Sequence, residues 1–253
     1  MSERDTQSKG RLILPNIAEY MSCVKKIQRW YRGSILRLKR LPTVLYSMQS
    51  YLKTRNFIFA EGNDDGRVNS TIDEPGIIDL LVSKYGDKRI KKPKIRMWFD
   101  ILVRDYMYGW LPVNIKTTTT STSDNTGNMA MCVYAYTDEV LELDTSKSYN
   151  NGKMSKILLS RLKERRYNKI SKKDYYFVVL NKSDSKDIIV NSVKGLTVLT
   201  PNINNLPYQV NWGQNREFVH ESIEKSVKKF VECLKSPKPS WREEFMANIR
   251  MME

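Results

Sequence analysis

Three residues in the middle of the chain have the side chains and spacing for phosphate chemistry: Asp100, Asn114 and Lys116. Asp100 lies in the stretch Phe99-Asp100-Ile101-Leu102-Val103. Asn114 and Lys116 lie in Leu111-Pro112-Val113-Asn114-Ile115-Lys116, ahead of a run of threonines. Both stretches are rich in Ile, Leu and Val, and a Tyr/Met/Gly turn joins them, so they are expected to form adjacent β-strands. Side chains alternate across a strand, which puts Leu111, Val113 and Ile115 on one face and Asn114 and Lys116 on the other. The first face needs a core. The second offers an amide oxygen and an ammonium, with the Asp100 carboxylate on the neighbouring strand. Such a set suits a hard cation together with a phosphate.

Composition says where that phosphate comes from. The chain has 253 residues and a formal net charge of +15, which attracts a polyanion and speeds encounter with it. Nucleic acid is the expected partner, and the phosphate chemistry is read as acting on DNA; charge alone does not separate DNA from RNA. No apolar run approaches the ~20 residues that cross a bilayer, so no membrane partner is expected. The first ten residues are polar and mixed in charge, unlike a secretory signal. Cys23, Cys132 and Cys233 lie far apart without metal-type spacing, and His220 is the one histidine. A Cys/His zinc site is therefore disfavoured, His220 is expected to be structural, and reduced cysteines point to an intracellular protein, cytoplasmic or nuclear. The Lys/Asn/Ile-rich composition suits an AT-rich genome such as that of a large DNA virus.

The elements that must position these residues follow from periodicity. Residues 16–40 carry Ile17, Tyr20, Val24, Ile27, Tyr31 and Leu38 at helical spacing, opposite a cationic face that includes Arg29, Arg32 and Arg37. Pro42 opens a second helix, with Val44, Leu45, Met48, Tyr51 and Leu52 as its buried stripe. A third is expected from Ser70 or Asp73 to Tyr85, stopped by Gly86. After the paired strands, 117–128 reads as a polar loop long enough to be functional. Helices are expected over 128–143 and 155–167, strands over 175–180, 187–190 and 195–200, an asparagine-rich loop over 202–215, and a closing helix over 217–235. This order predicts an α/β (α+β) fold. Residues 1–60 are expected to form a basic helical arm and 61–253 one domain.

The run Asp-Ile-Leu-Val-Arg-Asp, a Tyr-containing turn, and then Val-Asn-Ile-Lys-Thr resembles the active-site core of the PD-(D/E)XK nuclease superfamily. Within it the nearest likeness is to type II restriction endonucleases of the EcoRV and HincII kind. The resemblance covers residues 98–120 and extends weakly over 121–136 and the region of Asn211-Trp212. It implies a restriction-endonuclease-like mixed central sheet flanked by helices and Mg²⁺- (or Mn²⁺-) dependent hydrolysis of phosphodiester bonds in duplex DNA by a homodimer. It also implies that Asp100 ligates the metal and that Lys116 positions the attacking water. Asn114 departs from the pattern, standing where these enzymes carry an acid, and a neutral amide is the poorer ligand for a hard cation. Glu74, on the helix ahead of the sheet, is the candidate substitute ligand, with Asp73 and Asp79 as fallbacks. The alternative is a nuclease fold that binds DNA without cutting it.

Several further residues are candidates for DNA contact. Thr117 and Thr118 offer hydroxyls to phosphate, Asn125 and Asn128 could read base edges, and the 202–215 loop is a similar candidate. Lys91 and Lys92 in the basic connector and Arg29 and Arg32 on the arm would meet phosphates. The arm also matches the IQ motif (Ile27-Gln28, Arg32-Gly33, Arg37) bound by calmodulin-like proteins. A basic amphipathic helix comes close to that pattern by itself, so a calmodulin-like partner is the lesser reading and an adaptor role the third.

Overall fold

The computed structural model describes residues 20–29, 40–60, 66–93, 97–125, 128–143, 149–170, 172–202, 207–235 and 249–250. Chain contacts divide at residue 40. In the first unit residues 20–29 are helical and Arg29 is exposed. Arg32, Arg37 and most of the IQ-like pattern lie outside the described residues.

The second unit is built on a mixed sheet. Its strands are β1 (Ile90–Lys91), β2 (Ile101–Asp105), β3 (Gly109–Thr118), β5 (Tyr176–Asn181) and β6 (Asp184–Ser192), hydrogen-bonded in that spatial order. β3 and β5 run parallel and the other pairs antiparallel. A parallel pair cannot be closed by a hairpin. The chain between β3 and β5 accordingly carries β4 (Ser123–Asn125), α3 (Met129–Tyr136) and α4 (Asn151–Lys163). β4 pairs with β7 (Gln209–Asn211) in a separate two-stranded sheet.

Alternation along the strands feeds two cores. Ile101, Val103, Leu111, Val113 and Ile115 pack with Leu45, Met48 and Leu52 of α1 (Thr43–Lys53) and with Ile77 and Leu81 of α2 (Gly66–Tyr85). Leu102, Phe177 and Val179 pack on the other face with α3, α4 and α5 (Ile223–Leu234). The stripe expected on the second helix is thus the one that is buried. Burying each such Leu or Met side chain is worth roughly 1.5–3 kcal/mol, so α1 belongs to the body. The 1–60 arm boundary is corrected to residue 40.

Other boundaries shift for local reasons. α2 begins before Ser70 and runs through Pro75, forgoing the hydrogen bond that a proline nitrogen cannot donate. It ends as anticipated at Gly86, in the left-handed region at φ 75°. The helix expected over 128–143 stops at Tyr136, because Thr137 is extended and bridges to Tyr167. The helix expected over 155–167 starts at Asn151, capped by Asn150 Oδ1 on the N–H groups of Gly152 and Lys153. Residues 195–200 form no strand of the main sheet; Val193–Gly195 is a 3₁₀ turn and Thr200 only bridges to Gln209. The closing helix starts at Ile223, and Val219, expected in its buried stripe, is exposed. Among the described residues no helix is long and apolar enough to cross a membrane.

Candidate functional site

β3 is longer than the strand beside it. β2 pairs with it from Gly109 to Val113, whereas Asn114 to Thr118, among the described residues, pair with β5 alone. Backbone groups alternate between the two edges of a strand, so the N–H groups of Ile115 and Thr117 face the edge that β2 leaves open. Two carboxylates satisfy them. Asp100, just before β2, continues the ladder with its N–H on Val113 O at 3.1 Å. Its Oδ2 accepts from the Ile115 N–H at 2.8 Å. Glu74, from α2, accepts from the Thr117 N–H. Lys116 lies between those two amides in the strand, so a cation and two anions from three elements meet at one edge.

Burial dominates the electrostatics. It raises the Asp100 carboxyl above its usual range, against hydrogen bonds from Ile115 and Asn114 and the attraction of Lys116. Glu74 is pushed up to about 7, first by burial and further by the charges of Asp100 and Asp124, while Lys116 and the Thr117 N–H act the other way. At both carboxyls burial outweighs the attraction of Lys116.

Asn114 faces the same place. Its amide nitrogen hydrogen-bonds Asp100 and the Tyr175 hydroxyl, which fixes the orientation of the side chain and turns Oδ1 the other way. That oxygen is buried without a hydrogen-bond partner among the described residues. An acceptor left so costs roughly 1–3 kcal/mol, unless a water or cation meets it. Oxygen-only donors with unbalanced negative charge fit a hard divalent ion. Among the described residues no three carboxylate, imidazole or thiol groups converge as a closed metal centre; here the third oxygen is an amide. The floor is rigid: Tyr175 Oη donates to Trp98 O at 3.0 Å and the two rings stack at 5.7 Å, which holds the approach to Asp100.

The sequence reading brought Asp100, Asn114, Lys116 and Glu74 forward, and the structure gathers all four. The fallback acids are engaged elsewhere. Asp73 accepts from Ala60 N–H and pairs with Lys182 at 3.1 Å, and Asp79 pairs with Lys92. Sequence reasoning missed Asp124, whose Oδ2 lies 3.8 Å from Lys116 Nζ. The available signal was that it is the one acid in the hydroxyl-rich stretch after Lys116.

The residues proposed for DNA contact fare less uniformly. Thr117 is only 3% exposed, because it alternates onto the core face with Ile115; its hydroxyl is not a surface group. Thr118 is half-buried on the other face, its hydroxyl on Thr119 O. Residues 117–128 are not one loop, since β3 runs to Thr118 and β4 follows. Asn125 Oδ1 accepts from Asn202 at 2.6 Å and Gln209 at 3.3 Å, and Asn128 caps α3 and donates to Trp98 O. These amides hold the fold. So does Asn215 of the 202–215 segment, which bonds Thr197, Val198 and Asn211 backbone groups; Asn204 and Asn205 lie outside the described residues. Lys91 is exposed and lies 4.5 Å over the Trp110 ring, and Lys92 pairs with Asp79, both on the side of edge strand β1.

The β4–β7 ribbon is tied to the end of β3 by Gly213 N–H on Thr120 O at 2.8 Å and Asn211 Nδ2 on Ser121 O at 3.0 Å. A Cβ on residue 213 would stand 2.9 Å from Thr120 O. Gly213→Ala is therefore expected to force the ribbon off β3 and cost about 1–3 kcal/mol, read as a lower urea midpoint. An unchanged midpoint would show that the approach is not tight.

Comparison with protein-family models, curated proteins and solved structures gave no match.

Proposed function

We propose that this chain is a divalent-metal-dependent endonuclease that hydrolyses phosphodiester bonds in duplex DNA, with a restriction-endonuclease-like body. One observation carries the reading. The open edge of β3 joins Asp100, Asn114 and Glu74, all oxygen donors, to Lys116. The mixed sheet with helices on both faces agrees with the resemblance of residues 98–120 to that superfamily, and the charge of +15 agrees with a DNA partner.

Asp100, Asn114 Oδ1 and Glu74 would hold Mg²⁺ or Mn²⁺. When bound, that ion supplies Lewis-acid stabilisation of phosphoryl oxygens and a lowered pKa for water. The Lys116 ammonium orients the attacking water and offsets charge that builds on the scissile phosphate. Tyr175 and Ile115 hold Asn114 and Asp100 in place, so little reorganisation is needed. A dimer acting inside the cell on both strands is the form the resemblance suggests.

The test is digestion of supercoiled plasmid. Nicked and linear DNA should appear with Mg²⁺ or Mn²⁺ and not with EDTA. Duplex binding without any cleavage would instead establish a DNA-binding protein whose activity was lost with the acid at position 114. Cleavage unaffected by EDTA would remove the metal from the mechanism.

A further inference from the structure

Glu74 and Asp100 against Lys116 leave a single net negative charge for a divalent cation, because Asn114 is neutral. Asp124 lies beside this group. Its carboxylate is 3.8 Å from Lys116 Nζ, the two side chains are about four-fifths buried, and its charge reaches Glu74. We propose that Asp124 supplies the negative charge that position 114 lacks, acting as the third anionic group around the bound cation. The assignment rests on the metal-dependent reading and adds to it a residue from outside the main sheet.

Position supports this role over that of an ordinary surface ion pair, which would be worth little. Asp124 is the middle residue of β4, paired to Val210 of β7. The Oδ1 of its neighbour Asn125 accepts from both Asn202 and Gln209. The carboxylate is thus delivered by a braced ribbon. With it the ionisable groups carry two net negative charges, the complement of a divalent ion. A charge near a bound cation is effective without direct ligation, since the field in a partly buried site is weakly screened.

The test is calorimetric titration of the full chain with Mn²⁺ in the absence of DNA. Asp124→Asn should weaken binding by about 10- to 100-fold, and Asp124→Glu should retain wild-type affinity. Adding Asn114→Asp to Asp124→Asn should recover most of the loss. The weakening should persist in a Lys116→Gln background, because the charge acts on the cation and not through the lysine. Asp124→Ser provides a second neutral variant should the asparagine disturb the ribbon, and melting in EDTA checks both. Wild-type affinity in the neutral variants, failure of the rescue, or disappearance of the effect in Lys116→Gln would each overturn the assignment. Absence of Mn²⁺ binding by the wild type would overturn the metal-dependent reading along with it.

Discussion

Lys116→Ala should lower plasmid cleavage by at least about 10²- to 10³-fold, the range for losing one preorganised group that stabilises transition-state charge, while duplex binding in a gel-shift assay persists. The lysine is one cation among the 43 Lys and Arg residues, so it adds little to encounter with DNA. It is, however, the cation between the amides that hold Asp100 and Glu74. Asp100→Asn should lose cutting as well, by a different route: the carboxylate that would hold the metal is gone, whereas the Ile115 N–H keeps an amide oxygen to bond. Wild-type rates in Lys116→Ala would reduce the lysine to a partner of Asp124. Wild-type rates in Asp100→Asn would make Asp100 a strand-edge cap.

Glu74→Gln should stabilise the protein at pH 8 without metal and remove most of what metal adds. The Glu74 carboxyl is raised from 4.5 to about 7, chiefly by burial. The folded chain therefore holds this proton over a pH range in which the unfolded chain has released it. Its contribution to stability is full below about pH 4.5 and is lost as pH rises through about 7, a difference on the order of 3 kcal/mol. Asp100, raised in the same direction, leaves a residual slope of the same sign. Glutamine carries no proton to lose, so its unfolding midpoint should vary less between pH 5 and 8. A bound cation favours the ionised form and stabilises the wild type by mass action. The variant should gain much less from added Mg²⁺. Urea unfolding at both pH values, with Mg²⁺ or EDTA, reads each difference. A variant less stable than wild type at pH 8 in EDTA would mean that the Glu74 carboxylate serves the Thr117 amide and not a metal.

Much was legible because it is local. Alternation of Leu111, Val113 and Ile115 against Asn114 and Lys116 is a property of one strand, and the three apolar residues are buried in one core while Asn114 and Lys116 are only half-buried. The α1 stripe and the Gly86 stop are equally local. The 128–143 helix was overextended because apolar residues continue past Tyr136, whereas Thr137 and Tyr167 pair across distant segments. Within the 202–215 segment, a candidate for groove readout, Asn215 satisfies remote backbone groups; such an amide looks in sequence like one offered to a ligand.

By itself, then, the sequence determined which residue types the two strands carry, on which face of β3 each lies, and that the chain has a net charge of +15. Only the tertiary structure decided that β3 outruns β2, so that Asp100 and Glu74 close its bare edge, that Asn114 Oδ1 has no hydrogen-bond partner among the described residues, and that Asp124 comes beside Lys116. The physical reason is range. Side-chain type and alternation are set residue by residue, whereas strand register and the return of β7 onto β4 depend on contacts between segments dozens of residues apart.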